Sequence, residues 1–213
     1  MTPYLLFDFD GTIADSFSLG VQILNELAPR FHIDPFSESE LHELRSMPTH
    51  QAIKRMNIPL YKIPILVPVF LHEFKRVIPM LKPFPDIKET LLTLKDMGIP
   101  MALITSNSLE NVSRFIEQHQ LHFFDWIEGG SGLFNKQTTI RKQIKRHNLN
   151  IEDIIYVGDE TRDIVASKKC KIKIISVLWG FQTAQILRSY NPDFYAHTPL
   201  DLVQIIKGLQ LDS

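Results

Sequence analysis

Short apolar runs that end abruptly recur along the chain. Tyr4–Phe7 ends at Asp8, Met101–Ile104 at Thr105 and Ser106, Ile154–Val157 at Gly158 and Asp159, and Ile172–Leu178 at Trp179 and Gly180. Runs this short, without clean polar alternation, predict strands buried on both faces. Between them lie patterns that predict helices over Ile87–Met97, closed by Gly98, and over Leu109–His119, Gln137–His147 and Thr161–Lys169. Strand then helix, repeated, predicts an α/β fold built on a doubly wound parallel sheet. Ligands of such sheets collect beyond the carboxyl ends of the strands. The pairs Asp8/Asp10, Thr105/Ser106 and Asp159/Asp163 fall there in this reading.

Residues 15–82 break the rhythm, with helical patterns and prolines but no convincing buried strand. They read as a helical insertion. Leu19, Ile23, Leu24 and Leu27 make one apolar stripe and Val69–Leu81 a second helix-like pattern, after which Lys82-Pro83-Phe84-Pro85 marks the return to the sheet. The expected organisation is therefore a sheet-bearing core of residues 1–14 and 83–213, interrupted by 15–82. The length of 213 residues suits one domain with a sizeable insertion.

Composition narrows the partners. With 23 Lys and Arg against 24 Asp and Glu, the formal charge is -1, so no global basic field exists to collect nucleic acid or an anionic membrane. An anionic ligand must be held locally. Lys168, Lys169, Lys171 and Lys173 form a small basic patch that reads as a solvated face at a helix end. The longest apolar-looking run, Ile63–Leu71, is short and carries Pro64 and Pro68, so no membrane span is expected. Cys170 is the only cysteine and excludes an intramolecular disulfide. Met1–Asp10 lacks a basic region followed by a long apolar stretch. A cytoplasmic protein is the expectation.

Four polar clusters carry candidate chemistry. Asp8 and Asp10 are two apart, so a strand persisting through them sends both carboxylates to one side. Such a pair repels itself, and a hard divalent cation that also binds phosphate oxygens removes the conflict. Gly11 and Thr12 follow as a tight turn whose N–H groups could face a phosphate. Solvated aspartates at a strand-end turn are the other reading. Thr105 and Ser106 precede a helix, where they suit either an anion or an N-cap. Lys136, after Gly129, Gly130, Ser131 and Gly132, opens a predicted helix against the dipole, a strain that a nearby anion would relieve. It reads otherwise as an exposed lysine after a flexible loop. Asp159 and Asp163 are spaced so that one helical face presents both, although a cap and an ion-pair partner would look the same.

Taken in order, Asp8-Phe9-Asp10-Gly11-Thr12, Thr105-Ser106-Asn107, Lys136 and Gly158-Asp159-Glu160-Thr161-Arg162-Asp163 resemble the four motifs of the haloacid dehalogenase (HAD) superfamily, across nearly the whole chain. The insertion resembles the cap of the phosphoglycolate phosphatase and beta-phosphoglucomutase group. The resemblance implies a Rossmann-like core and a Mg2+-dependent phosphatase, which hydrolyses a small phosphorylated metabolite, phosphoglycolate-like, through an aspartyl phosphate. Asp8 would be the nucleophile and a metal ligand. Asp10 would be the general acid and base, its backbone carbonyl on the metal. Thr105, or alternatively the adjacent Ser106, would bind the transferring phosphoryl oxygens, and Lys136 would neutralise charge. Gly11, Thr12, Ser106 and Asn107 would be substrate-binding, and Asp159 would complete the Mg2+ shell with Asp163 behind it.

Asp10 argues against a dehalogenase, which lacks that second acidic residue. A sugar phosphomutase would use the same residues and stays open. A non-catalytic interaction module would be expected to lose one or more of the charged residues that are all present here. The cap would set specificity, with Arg45, His50 and Lys54 as candidates or simply solvated positions, and it would close about hinges near Ala14–Ser16 and Lys82–Asp86. Asp86 stands where relatives often have Gly. Either a monomer or a homodimer is expected.

Overall fold

The computed structural model describes residues 2–130 and 135–211. Ser131 and Gly132 of the glycine-rich stretch, and the outermost residues of the expected core, lie outside the described residues. Six parallel strands form one sheet: β1 (Tyr4–Phe7), β2 (Met101–Ile104), β3 (Ile127–Glu128), β4 (Ile154–Gly158), β5 (Lys173–Val177) and β6 (Phe194–Ala196), in the order β3-β2-β1-β4-β5-β6. The order reverses direction between β1 and β4, the switch point where such sheets open a crevice.

The strands bury both faces because their side chains alternate between two apolar layers. Leu5, Phe7, Met101, Leu103, Ile155 and Val157 join one cluster; Leu6, Ala102, Ile104, Ile154 and Tyr156 join the other. Helices α5 (Ile87–Asp96), α6 (Leu109–His119) and α10 (Pro199–Leu211) cover the first face through residues such as Leu91, Phe115 and Leu202. Helices α7 (Lys136–Arg146), α8 (Thr161–Cys170) and α9 (Ala184–Ser189) cover the second through Ile140, Ile144, Ile164 and Leu187. At roughly 1.5–3 kcal/mol for each large apolar side chain withdrawn from water, these two layers dominate the fold's stability. The doubly wound parallel sheet is as expected, and the boundaries of α5, α6, α7 and α8 fall within one residue of the sequence reading, which did not include α9 and α10.

Between β1 and α5 run α1 (Phe17–Phe31), α2 (Glu38–Arg45), α3 (Thr49–Arg55) and α4 (Ile63–Val77), and no strand. Ile23, Leu27 and Phe31 of α1 and Leu66, Phe74 and Val77 of α4 belong to the same apolar cluster as the first sheet face. The expected helix over Val69–Leu81 begins instead at Ile63 and ends at Val77, followed by a 3-10 turn, Ile78–Met80. Pro64 in the first turn costs no hydrogen bond, so the helix starts ahead of Pro68. The chain leaves and returns along one track: Asp15 N–H donates to the Lys82 carbonyl (3.0 Å) and Phe84 N–H to that of Ile13 (3.0 Å). Asp86 is left-handed, with φ 63°, the conformation that favours glycine. Lys168, Lys169, Lys171 and Lys173 are exposed around the C-terminal end of α8, as a solvated face. Among the described residues no helix is long and apolar enough to cross a membrane.

Candidate active site

The polar clusters meet beyond the C-terminal ends of β1, β2 and β4. The strand conformation of β1 stops at Phe7, although Asp8 N–H still reaches the Val157 carbonyl (2.8 Å). Asp8 is 1% exposed; its Oδ1 accepts from Phe9 N–H (2.8 Å) and its Oδ2 from Lys136 Nζ (2.5 Å). Because the strand ends, Asp10 does not share these partners. Its carboxylate accepts instead from Asn107 Nδ2, at 3.1 and 3.4 Å.

The turn after Asp10 corrects one expectation. Gly11 N–H donates to the Ala14 carbonyl (3.0 Å) and Thr12 N–H to that of Phe9 (3.3 Å), so both amides are spent inside the turn. Thr12 serves Asp159 instead, its hydroxyl donating to Oδ1 (3.1 Å). Gly11 is required twice over: its φ is +75°, and a Cβ there would stand 2.1 Å from Asp159 Oδ2.

Thr105 is buried at the end of β2, and its oxygen accepts from Asn107 N–H (3.0 Å). Neither Thr105 nor Ser106 caps α6; Ser108 does, accepting from Asn111 N–H (3.2 Å). Ser106 is half-buried, whereas Asn107 is buried with its Oδ1 held by Ser108 N–H and Asn111 Nδ2. Lys136 is the first residue of α7 and is 3% exposed, its ammonium bridging Asp8 and Asp163. Two anions thus offset the unfavourable helix dipole.

After β4, Asp159 Oδ2 accepts from Phe181 N–H (2.7 Å). Glu160, not Asp159, is the N-cap of α8, in a capping box with Asp163, whose Oδ2 accepts from Glu160 N–H (3.0 Å). Arg162 binds Glu160 Oε1 through Nε (2.8 Å) and Nη2 (2.5 Å), while its buried Nη1 has no hydrogen-bond partner among the described residues.

Charge is unevenly balanced here. Burial pushes the Asp8 carboxyl up to about 6, although Lys136 pulls against it. Burial also raises Asp10, and burial with the nearby charges of Glu160, Asp163 and Asp8 holds Asp159 well above the usual carboxylate range. For Lys136 burial favours the neutral amine, yet Asp163 and Asp8 outweigh it and hold the ammonium well above its ordinary value. Asp8, Asp159 and Asp163 each turn one carboxylate oxygen to within 4.8 Å of the others. An all-oxygen, anion-rich set of this kind fits a hard divalent cation such as Mg2+.

The helical segment touches the site's rim. Arg45 donates from Nε to the Phe181 carbonyl (2.6 Å) and from Nη2 to that of Gly180 (3.1 Å). Thr49 donates its hydroxyl to Glu160 Oε2 (3.1 Å), and Gln182 Nε2 donates to the Met47 carbonyl (2.8 Å). His50 and Lys54 are exposed. Sequence reading missed Glu160, Arg162, Phe181 and Gln182 as parts of this network. Arg162 alone carried a signal, as a cation in the first turn of a helix beside three acidic residues.

A Rossmann-like sheet with this constellation at its switch point defines a hydrolase class, and the chain belongs to it: residues 5–177 match the haloacid dehalogenase-like hydrolase family. The chain is similar to the phosphoglycolate phosphatase of Synechococcus elongatus, 29% identical over 206 residues that cover 96% of this chain and 97% of that protein. The phosphoglycolate phosphatase of Aquifex aeolicus is 27% identical over 207 residues, covering 95% of each. The crystal structure of a predicted phosphatase from Clostridium acetobutylicum shares the fold, with a TM-score of 0.83 over 99% of both chains at 22% identity. The chain is an enzyme, a phosphoric monoester hydrolase of this family.

Proposed function

We propose that the chain hydrolyses a small phosphorylated metabolite of the phosphoglycolate kind, in a Mg2+-dependent reaction, through an aspartyl phosphate on Asp8. The observation that carries this reading is the setting of Asp8: buried, held by Phe9 N–H and Lys136, and beside Asp159 and Asp163. The similarity to two phosphoglycolate phosphatases supports the substrate class.

A carboxyl near 6 is mostly ionised at neutral pH, and its two contacts fix its direction of attack. An Asp8 oxygen bonds to phosphorus as the bond to the leaving alkoxide breaks, and Asp10 gives that alkoxide its proton. Burial raises the Asp10 carboxyl, the direction that favours the protonated form a general acid needs. Asp10 then takes a proton from the water that attacks phosphorus and returns the Asp8 carboxylate. Lys136 balances charge on Asp8 and on the phosphoryl oxygens. The Thr105 oxygen already accepts from Asn107 N–H, so its hydroxyl hydrogen is available to a phosphoryl oxygen. Ser106 and Asn107 would contribute to substrate binding, Asn107 also orienting Asp10. Asp8, the Asp10 carbonyl and Asp159 would hold Mg2+, with Asp163 behind, and the ion when bound supplies positive charge against the phosphoryl group.

Residues 15–82 act as the cap, moving about the paired tracks at Ala14–Ser16 and Lys82–Asp86 and excluding water when docked. The test is phosphate release across a panel of phosphorylated metabolites, with and without Mg2+, for the parent and Asp8→Asn. Mg2+-dependent release that vanishes in the folded variant is expected. Release that survives exhaustive chelation, or that persists in Asp8→Asn, overturns the reading.

A further inference from the structure

One peptide unit, between Gly180 and Phe181, lies between the cap and the metal-ligand candidate Asp159. Its N–H donates to Asp159 Oδ2 (2.7 Å) and its carbonyl accepts from Arg45 Nη2 (3.1 Å). Arg45 Nε secures the next carbonyl, that of Phe181, at 2.6 Å. The Arg45 carbonyl in turn accepts from Thr183 N–H (3.0 Å), and its guanidinium lies over the Phe17 ring, 4.8 Å from the centroid. Gly180 is pressed against Asp159 so closely that a Cβ would stand 2.3 Å from the Asp159 Cβ.

A peptide is planar and its C=O and N–H point in opposite directions, so aiming the carbonyl aims the N–H. Its dipole here runs from a guanidinium to a carboxylate, favourable at both ends. Turning the unit would lose the contacts to Arg45 and Asp159 together.

We propose that Arg45 is a positioning residue that acts through the Gly180–Phe181 peptide to hold Asp159 in its metal-binding orientation, so that cap docking and Mg2+ binding favour each other. This rests on the reading of Asp159 as a Mg2+ ligand. Coupling of this kind is reciprocal: a docked cap tightens the metal, and the metal favours the docked cap. Thr49 also joins cap to core, through Glu160, Thr161 and the Gln182 side chain, without touching this peptide.

The experiment is calorimetric titration of the metal-stripped full chain with Mg2+, together with hydrogen exchange at the Phe181 amide. Arg45→Met keeps the apolar stem over Phe17 and removes every donor. It is expected to weaken Mg2+ binding by about 5- to 150-fold, the usual span of such couplings, and to expose the Phe181 amide to exchange. Arg45→Lys keeps the charge but cannot span both carbonyls, and is expected to fall between parent and Arg45→Met. Thr49→Val is expected to keep the parent affinity. Parent-like affinity and protection in Arg45→Met overturns the proposal, as does an equal loss in Thr49→Val. Should Arg45→Met not fold, parent-like values in Arg45→Lys overturn it as well. Asp159→Asn separates the two claims. If it binds Mg2+ like the parent, the ligand reading itself fails; if it is impaired while Arg45→Met is not, only the role of Arg45 fails.

Discussion

Replacing Lys136 with methionine keeps most of the apolar stem and deletes an ammonium that two carboxylates share. Lys136, Asp8 and Asp163 are each 3% exposed or less, so solvent cannot screen what is left behind. Removing one partner from a buried pair typically costs about 3–5 kcal/mol, because the other charge stays buried without compensation. Protonation limits that cost. The folded Asp8 carboxyl is raised to about 6 even with the lysine present, and rises further without it. Its folded pKa then lies above the unfolded value of about 3.9, so the folded state binds the extra proton and stability falls as pH rises through that window. The deficit of Lys136→Met should therefore approach its full 3–5 kcal/mol near about pH 8 and shrink markedly toward about pH 5. Urea unfolding of the metal-free parent and variant at both pH values measures it. A deficit below about 0.5 kcal/mol, as for an ordinary surface substitution, or one that does not change with pH, would mean that Lys136 does not neutralise a buried Asp8 carboxylate.

Asp10→Asn should lower turnover of the natural metabolite by on the order of 10²-fold or more through lost general acid-base catalysis. The loss should be smaller on p-nitrophenyl phosphate, whose leaving group needs no proton; equal losses would remove Asp10 from the role of acid. Gly11→Ala forces a left-handed alanine against Asp159 Oδ2, so it should destabilise the fold by at least about 1–2 kcal/mol. It should also raise the Mg2+ concentration for half activity, and a variant unchanged in both unfolding and metal dependence would contradict the close approach.

The central sheet was legible because parallel strands covered on both faces must be apolar throughout. Tyr4–Phe7, Met101–Ile104 and Ile154–Val157 therefore stand out without any alignment. Each also ends in a polar residue where the backbone leaves the sheet, which is why Asp8, Thr105 and Asp159 stand out beside the strand ends although all three are buried. The edges were not legible. Strand β3 spans two residues and β6 three, too few to display any period. Helix α4 starts at Ile63, ahead of the expected Val69, because burial of Leu66, Phe74 and Val77 outweighs the amide missing at Pro68.

Within the site, residue types were readable but pairings were not. Nothing local to Asp10 tells that the strand stops before it and that its carboxylate turns to Asn107. The tie from Arg45 to Gly180 and Phe181 spans 135 and 136 residues, and Lys136 meets Asp8 across 128. Contacts between such distant positions leave no periodicity in the chain, so only the folded backbone reveals them.

The measurement closest to the central claim is mass spectrometry of enzyme quenched in acid during its first turnover of the phosphorylated substrate in Mg2+. One phosphoryl group is expected on the peptide that carries Asp8, formed as fast as alcohol is released and absent in Asp8→Asn. Release of alcohol and phosphate together in a first turnover that leaves the Asp8 peptide unmodified, or a phosphoryl group on another side chain, would contradict it.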